Sequence, residues 1–147
     1  MTKPEFTLDR CLGFLANRVY RSFQKEVDRL LQPLGLTTAQ FCVLMKLYNQ
    51  DGITQSALAQ KLHIESPTLV RIIDRLEEAG LVRRRPSPKD RRAYRIVLTN
   101  RGRELEKQLR KVGETVRSKA TRGMTEQESE KLRDYMMLVW ENLEAQD

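Results

Sequence analysis

Residues 54–99 read TQSALAQKLHIESPTLVRIIDRLEEAGLVRRRPSPKDRRAYRIVLT, and this stretch decides the fold. Thr54 precedes a short segment, Gln55 to Leu62, in which Ala57, Leu58, Ala59 and Leu62 supply small or apolar packing residues. A helix with Thr54 as N-cap is expected there. His63-Ile64-Glu65 breaks the pattern, and Ser66-Pro67 restarts a helix, with Ser66 read as the cap and Pro67 as the first helical residue. Leu69, Ile72, Ile73, Leu76 and Ala79 are expected to face inward, and Gly80 ends the helix as a C′ glycine with Leu81 placed for the accompanying hydrophobic contact. The period then changes. Leu81 to Arg85 and Ala93 to Leu98 are predicted strands around the turn-forming Pro86-Ser87-Pro88-Lys89-Asp90. Tyr94, Ile96 and Leu98 share one face of the second strand, Arg95 and Val97 the other. The order is helix, tight turn, helix, basic hairpin.

Working outward, Leu8, Leu12, Leu15, Val19, Phe23, Val27 and Leu30 recur at spacings of three and four, which predicts an amphipathic helix from about Thr7 to Leu31. Pro33 and Gly35 stop it, and Thr37-Thr38-Ala39-Gln40 reads as a capping box before an apolar core helix from Phe41 to Tyr48. Asp51-Gly52 is a turn. From Thr99 a charged helix with a narrow stripe (Leu105, Leu109, Val112, Val116) runs to about Arg122, where Gly123 breaks it. Thr125-Glu126-Gln127-Glu128 is a second capping box, opening a last helix with Leu132, Tyr135, Met136, Val139, Trp140 and Leu143 on one side. The fold class is therefore mainly α with a small β-hairpin wing, a winged helix-turn-helix. One domain is expected over 1–147, with its core at about 37–99, the helix-turn-helix at about 54–79, the wing at about 81–98, and flanking helices at about 7–32 and 100–146.

Charge says what such a unit meets. The net charge is +7, and Ser66–Arg95 holds nine basic side chains against four acidic ones. A polyanion meeting the middle of the chain is the expected partner. No apolar run spans a bilayer, Met1–Arg10 already carries both signs of charge, and two cysteines are too few for a disulfide framework. A reducing cytoplasm and no membrane partner are expected. No nucleophile elbow, phosphate-cradling glycine loop or metal-ligand cluster occurs, so neither catalysis nor a cofactor nor a metal is expected.

The B-DNA major groove admits one α-helix, and the second helix of such a pair presents its N-terminal residues to base edges. Ser66, Pro67 and Thr68 begin that helix, and Thr68, Arg71 and Arg75 lie on one exposed face. Arg71 is the candidate for base readout, because a guanidinium can make two parallel bonds to guanine; Arg75, further along, is the candidate phosphate ligand. Arg91 and Arg92 stand at the hairpin tip, where a narrow minor groove attracts arginine. Asp90, a lone acid among seven basic residues in Arg83–Arg95, is expected to pair with a neighbouring arginine and fix the loop. Two other readings compete: a protein-interaction module docking an acidic partner, and a cationic membrane-surface protein. Arginines on both the hairpin tip and the recognition face weigh against the first. The second needs a basic helix with bulky apolar residues opposite, whereas the charge here centres on a hairpin.

The run SPTLVRIIDRLEEAGLVRRRPSPKDRRAYRIVLTNRG resembles the MarR family of bacterial transcription regulators, through Asp90-Arg91-Arg92 in the wing and Leu98-Thr99 at the strand end. The similarity extends over almost the whole chain. It implies a homodimer with interlocked first and last helices, a pseudo-palindromic operator, and repression relieved by a small aromatic or phenolic effector. It also implies that Arg92 is the minor-groove arginine and Asp90 its structural partner. The implied effector pocket lies where the first, second and fifth helices meet, with Arg18 and Tyr20 as candidate lining. By the same resemblance Gly13 rather than Cys11 falls at the position of the family's peroxide-sensing cysteine, so Cys11 and Cys42 are expected to be buried and inert. A dimer is favoured independently by the wide apolar face of the last helix. The alternative is that this face packs on the chain's own first helix, but the flanking segments exceed what a winged domain needs for cover. Half-sites about 34 Å apart are then expected for the dimer. His63, the only histidine, is expected to lie exposed in the turn between the two helices.

Overall fold

The computed structural model describes residues 6–146; Met1–Glu5 and Asp147, included in the 1–147 domain expectation, lie outside them. A 3-10 turn over Leu8–Arg10 leads into α1 (Leu12–Leu31). The continuous helix expected from Thr7 is interrupted because Cys11 has extended backbone, with φ −67° and ψ 126°. A second 3-10 turn, Gln32–Leu34, ends at Gly35, whose φ of 67° lies in the left-handed region that glycine enters without a Cβ clash. Helix α2 (Thr38–Asn49) opens on the predicted capping box. Thr37 Oγ1 accepts from the Gln40 N–H at 3.2 Å, and Gln40 Oε1 accepts from the Thr37 N–H at 2.9 Å.

Helix α3 spans Gln55–Leu62, and Thr54 caps it by accepting from the Ala57 N–H at 3.2 Å. His63 then turns the chain in the left-handed region, with φ 53°. Helix α4 (Ser66–Glu78) has Glu65, not Ser66, as its N-cap. The reason is that the first helical bond runs from the Leu69 N–H to the Glu65 carbonyl at 3.1 Å, which places Ser66 and Pro67 inside the first turn. At the other end the Leu81 N–H donates to Leu76 O at 3.0 Å and Gly80 adopts φ 72°, the C-terminal motif expected from Gly80. Ala79, expected inward, is the exposed C-cap.

Strands β2 (Val82–Pro86) and β3 (Tyr94–Leu98) form the antiparallel hairpin, with Val82 opposite Leu98, Arg84 opposite Ile96 and Arg85 opposite Arg95. A third strand was not foreseen. β1 (Ile53–Thr54) pairs with β3, giving the order β1-β3-β2. Asp51 fastens this short strand: its Oδ1 accepts from the Gly52 and Leu98 N–H groups at 2.9 Å each, and its Oδ2 meets Arg103 at 2.9 Å. Val43, Leu44 and Leu47 of α2, Leu58 of α3, Leu69, Ile73 and Leu76 of α4, and Val82 and Ile96 of the sheet make one buried cluster. Each contributes about 1.5–3 kcal/mol of hydrophobic stabilisation.

The helix expected from Thr99 to Arg122 is two, α5 (Asn100–Glu104) and α6 (Glu106–Ala120), separated at Leu105. Leu109, Val112 and Val116 are buried on α6, as the narrow stripe predicted. An ion-pair tie joins α6 to α1. Glu26 meets Arg29 at 2.6 Å and Lys119 at 3.0 Å, and the hydrogen bonds from Arg29 and then Lys119 hold its carboxyl at about 2. The tie persists at neutral pH and is lost as pH falls toward that value.

Helix α7 (Glu126–Glu144) begins with the second predicted capping box, yet the only residue it buries is Ser129. Leu132, Tyr135, Met136, Val139, Trp140 and Leu143 stay 41–79% exposed. On α1, Leu12, Leu15, Val19 and Phe23 are likewise exposed. Two apolar helix faces are thus left without cover in one copy of the chain. Among the described residues, no single helix is long and apolar enough to cross a membrane.

Candidate nucleic-acid interface

Helix α4 divides by period. Leu69, Ile73 and Leu76 are buried, whereas Ser66, Pro67, Thr68, Arg71 and Arg75 are exposed. No side chain caps its first turn, so the Ser66 and Thr68 N–H groups remain available to a ligand oxygen at the positive end of the helix dipole. Arg71, Arg75, Arg91 and Arg92 are exposed, and among the described residues none of them is held in an ion pair. The site therefore presents its guanidiniums uncommitted on two elements, a helix face and a hairpin tip.

The loop between β2 and β3 is built by Asp90, though not in the way expected. Its Oδ1 accepts from the main-chain N–H of Arg92 at 2.9 Å, and its carbonyl accepts from the Ala93 N–H at 3.1 Å. No guanidinium pairs with it in the described ion pairs. A carboxylate two residues before an amide closes a local turn at little entropic cost, which is why it reaches the backbone before any long side chain. Arg91 and Arg92 remain free as a result. The Ser87 N–H closes the base of the loop on Ala93 O at 2.9 Å.

Sequence reasoning missed Arg84. Counted among the basic residues facing a partner, it is turned inward, with its side chain only 18% exposed. It meets Asp74 at 2.7 Å and Glu77 at 3.1 Å, donates from Nε to Gln55 at 3.1 Å and from Nη2 to the Val70 carbonyl at 3.2 Å. Its own N–H donates to Glu77 at 3.0 Å. One side chain on the wing thus grips the recognition helix along three positions and reaches α3 as well. The signal was present: strand alternation puts Arg84 on the core face with Val82, and Asp74 and Glu77 recur at i, i+3 on the facing helix. Arg84→Ala is expected to lower unfolding stability by about 2 kcal/mol, since charge-assisted bonds contribute about 1.5–3 kcal/mol each and some are replaced by water. Urea titration checks the loss; an unchanged midpoint would show that the brace is energetically idle.

Other expected residues fall elsewhere. Arg18 lies over the Phe14 ring at 5.9 Å and Tyr20 is exposed, both on α1. A groove between α1 and α2 is lined by residues nearer the end of α1, among them Lys25, Asp28 and Arg29. His63 is exposed, as expected, and its ring meets Trp140 edge-on with centroids 5.0 Å apart. The cysteines differ from expectation: Cys42 is exposed and Cys11 half-buried, because both lie beside the apolar stripes rather than on them. No group of three or more potential metal ligands is found among the described residues.

Residues 36–94 match the family model described as MarR family. Among solved structures, a MarR transcriptional regulator from Methanosarcina mazei Go1 is 30% identical with a TM-score of 0.83, over 89% of this chain and 94% of that one. A mutant MarR from E. coli complexed with operator DNA is 30% identical with a TM-score of 0.83, over 93% of this chain and 99% of that one. CouR from Rhodococcus jostii RHA1, bound to p-coumaroyl-CoA, is 28% identical with a TM-score of 0.81, over 90% and 94% respectively.

Proposed function

The chain belongs to the MarR family of transcription regulators, and on that premise we propose that it is a homodimeric, ligand-responsive repressor acting in the cytoplasm on a pseudo-palindromic operator. The observation that carries the reading is the pairing of two uncommitted basic surfaces, Arg71 and Arg75 on α4 and Arg91 and Arg92 on the wing, with Arg84 fixing one against the other. A helix in the major groove and a wing in the neighbouring minor groove need such a fixed angle. Ser66, Pro67 and Thr68 approach the backbone at the start of α4, Arg71 reads a base, Arg75 holds a phosphate, Arg92 enters the minor groove, and Asp90 shapes the loop that carries it. The uncovered faces of α1 and α7 are the surfaces that a second copy of the chain would bury. The E. coli relative complexed with operator DNA supports the nucleic-acid partner.

A small aromatic or phenolic effector is proposed as the signal that releases DNA, a class to which the p-coumaroyl group of the CouR ligand belongs. Arg18 and Tyr20, both on α1, are the proposed contacts. The role is one of binding, and no chemical step is assigned to it.

Selection of bound sequences from a random duplex pool, followed by fluorescence anisotropy with a salt titration, tests the reading. A recovered palindrome bound with steep salt dependence supports it; weak binding blind to sequence overturns it. On the recovered operator, Arg71→Ala is expected to cost about 1–3 kcal/mol and to relax preference at one base pair of each half-site. Arg92→Ala is expected to weaken binding more evenly across sequences. If both variants bound the panel like wild type, the site assignment would be wrong.

A further inference from the structure

We propose that the outer face of the wing, formed by Arg83, Arg85 and Arg95 with Arg101 beside them, is a second DNA-binding surface that grips the phosphate backbone of duplex flanking the operator. The proposal rests on the reading of the chain as an operator-binding dimer and extends it outward.

Strand alternation makes the surface. Val82 and Arg84 turn toward the core, which leaves Arg83 and Arg85 on the opposite face of β2. On β3 the same face carries Arg95 and Val97, and the register sets Arg85 directly opposite Arg95. Two like charges facing each other across a strand pair are destabilising, and no acid offsets them among the described ion pairs. Arg95 is half-buried, and its Nε makes no hydrogen bond within the chain, so only the outer end of its guanidinium is open to a ligand. Arg83 also lines a cleft with Arg101, Thr99 and Asn100, so the cationic strip continues past the sheet onto α5. Glu77, the acid bordering that cleft, is taken by Arg84.

An uncompensated strip of arginines is what a polyanion would neutralise. A protein partner would need an apolar anchor in the centre of the patch, and the one apolar side chain here, Val97, is half-buried. Position favours DNA as well. With α4 in the major groove and the hairpin tip in the adjacent minor groove, as proposed above, flanking duplex is the polyanion within reach of this face.

The test uses the full-length dimer and two duplexes carrying the selected operator. One ends at the base pairs under the wings; the other extends by about one helical turn, about 10 bp, at each end. Wild type is expected to bind the longer duplex about tenfold more tightly at low salt, with a steeper salt dependence. Arg83→Ala with Arg85→Ala removes four arginines per dimer. It should abolish the length advantage and lower the salt slope on the long duplex by about 3 to 4, at about 0.9 per phosphate contact. Affinity for the short duplex should stay within about twofold. The melting temperature of the double variant should not fall, because a repulsive cross-strand pair is removed; a merely structural role would lower it. Equal wild-type affinity for the two duplexes, or a double variant that keeps the length advantage, overturns the proposal. Failure of wild type to bind the short duplex overturns the operator reading beneath it, and the proposal with it.

Discussion

A chain carrying Gly102→Ala is expected to unfold at lower urea concentration than wild type, with about 3 kcal/mol of stability lost. Helix propensity alone predicts the reverse, a gain of about 1 kcal/mol for alanine over glycine inside a helix. The difference is a backbone contact. A Cβ on Gly102 would lie 2.2 Å from the Leu81 carbonyl oxygen, closer than any real Cβ contact, and 3.3 Å from Leu98 Cδ2. The carbonyl cannot simply retreat, because it accepts the Thr99 N–H at 3.1 Å. Gly102 is fixed from its own side too. Its N–H donates to Thr99 Oγ1 at 3.1 Å and its carbonyl accepts the Tyr48 hydroxyl at 2.7 Å. Burial, with Glu106 adding to it, pushes the Tyr48 phenol up to about 12, so that donor keeps its proton throughout the working pH range. Overpacking a site with no slack typically costs about 1–3 kcal/mol, and here both sides are backbone, which puts the loss at the upper end. Gly113→Ala is the internal control. Its added carbon would meet only Phe41 Cζ at 3.8 Å, an ordinary contact, so it should gain up to about 1 kcal/mol. Denaturation midpoints at constant slope decide the matter, and equal effects at the two glycines would refute the steric argument.

Met136→Asp together with Val139→Asp is expected to produce a monomer. Both side chains are exposed in a single copy, so the pair should scarcely alter the stability of the isolated fold. Buried against a second copy, two carboxylates without partners would each cost several kcal/mol. Sedimentation analysis should therefore return half the wild-type mass. Operator affinity should fall by about 10²- to 10⁴-fold, because two half-sites would then be held without the gain of a linked second contact. A double variant that remains dimeric and binds the operator normally would exclude this face of α7 from the interface.

Taken by itself, the sequence determined the local events. Capping boxes at Thr37 and Thr125, the Thr54 cap, the C-terminal motif at Gly80, the period change at Leu81 and the span of α3 are all written in side chains within a few residues of where they act. Such signals are readable because their hydrogen bonds close over three to five residues. What escaped depends on partners far along the chain. β1 exists because two residues find Arg95 and Ile96 more than forty positions away, and Asp51 secures them through Leu98 and Arg103. The cap of α4 moved from Ser66 to Glu65 because the first carbonyl to accept a helical bond is a backbone matter that no side chain announces. Asp90 reached an amide before an arginine because the amide was nearer. Above all, a count of basic residues treats every arginine alike. Strand alternation hinted at the difference, but the tertiary structure decided it: Arg84 is held by two acids and a carbonyl, whereas Arg71, Arg75, Arg91 and Arg92 are in no ion pair among the described residues. Charge is a property of sequence; whether it is already neutralised depends on which groups the fold brings within about 3 Å.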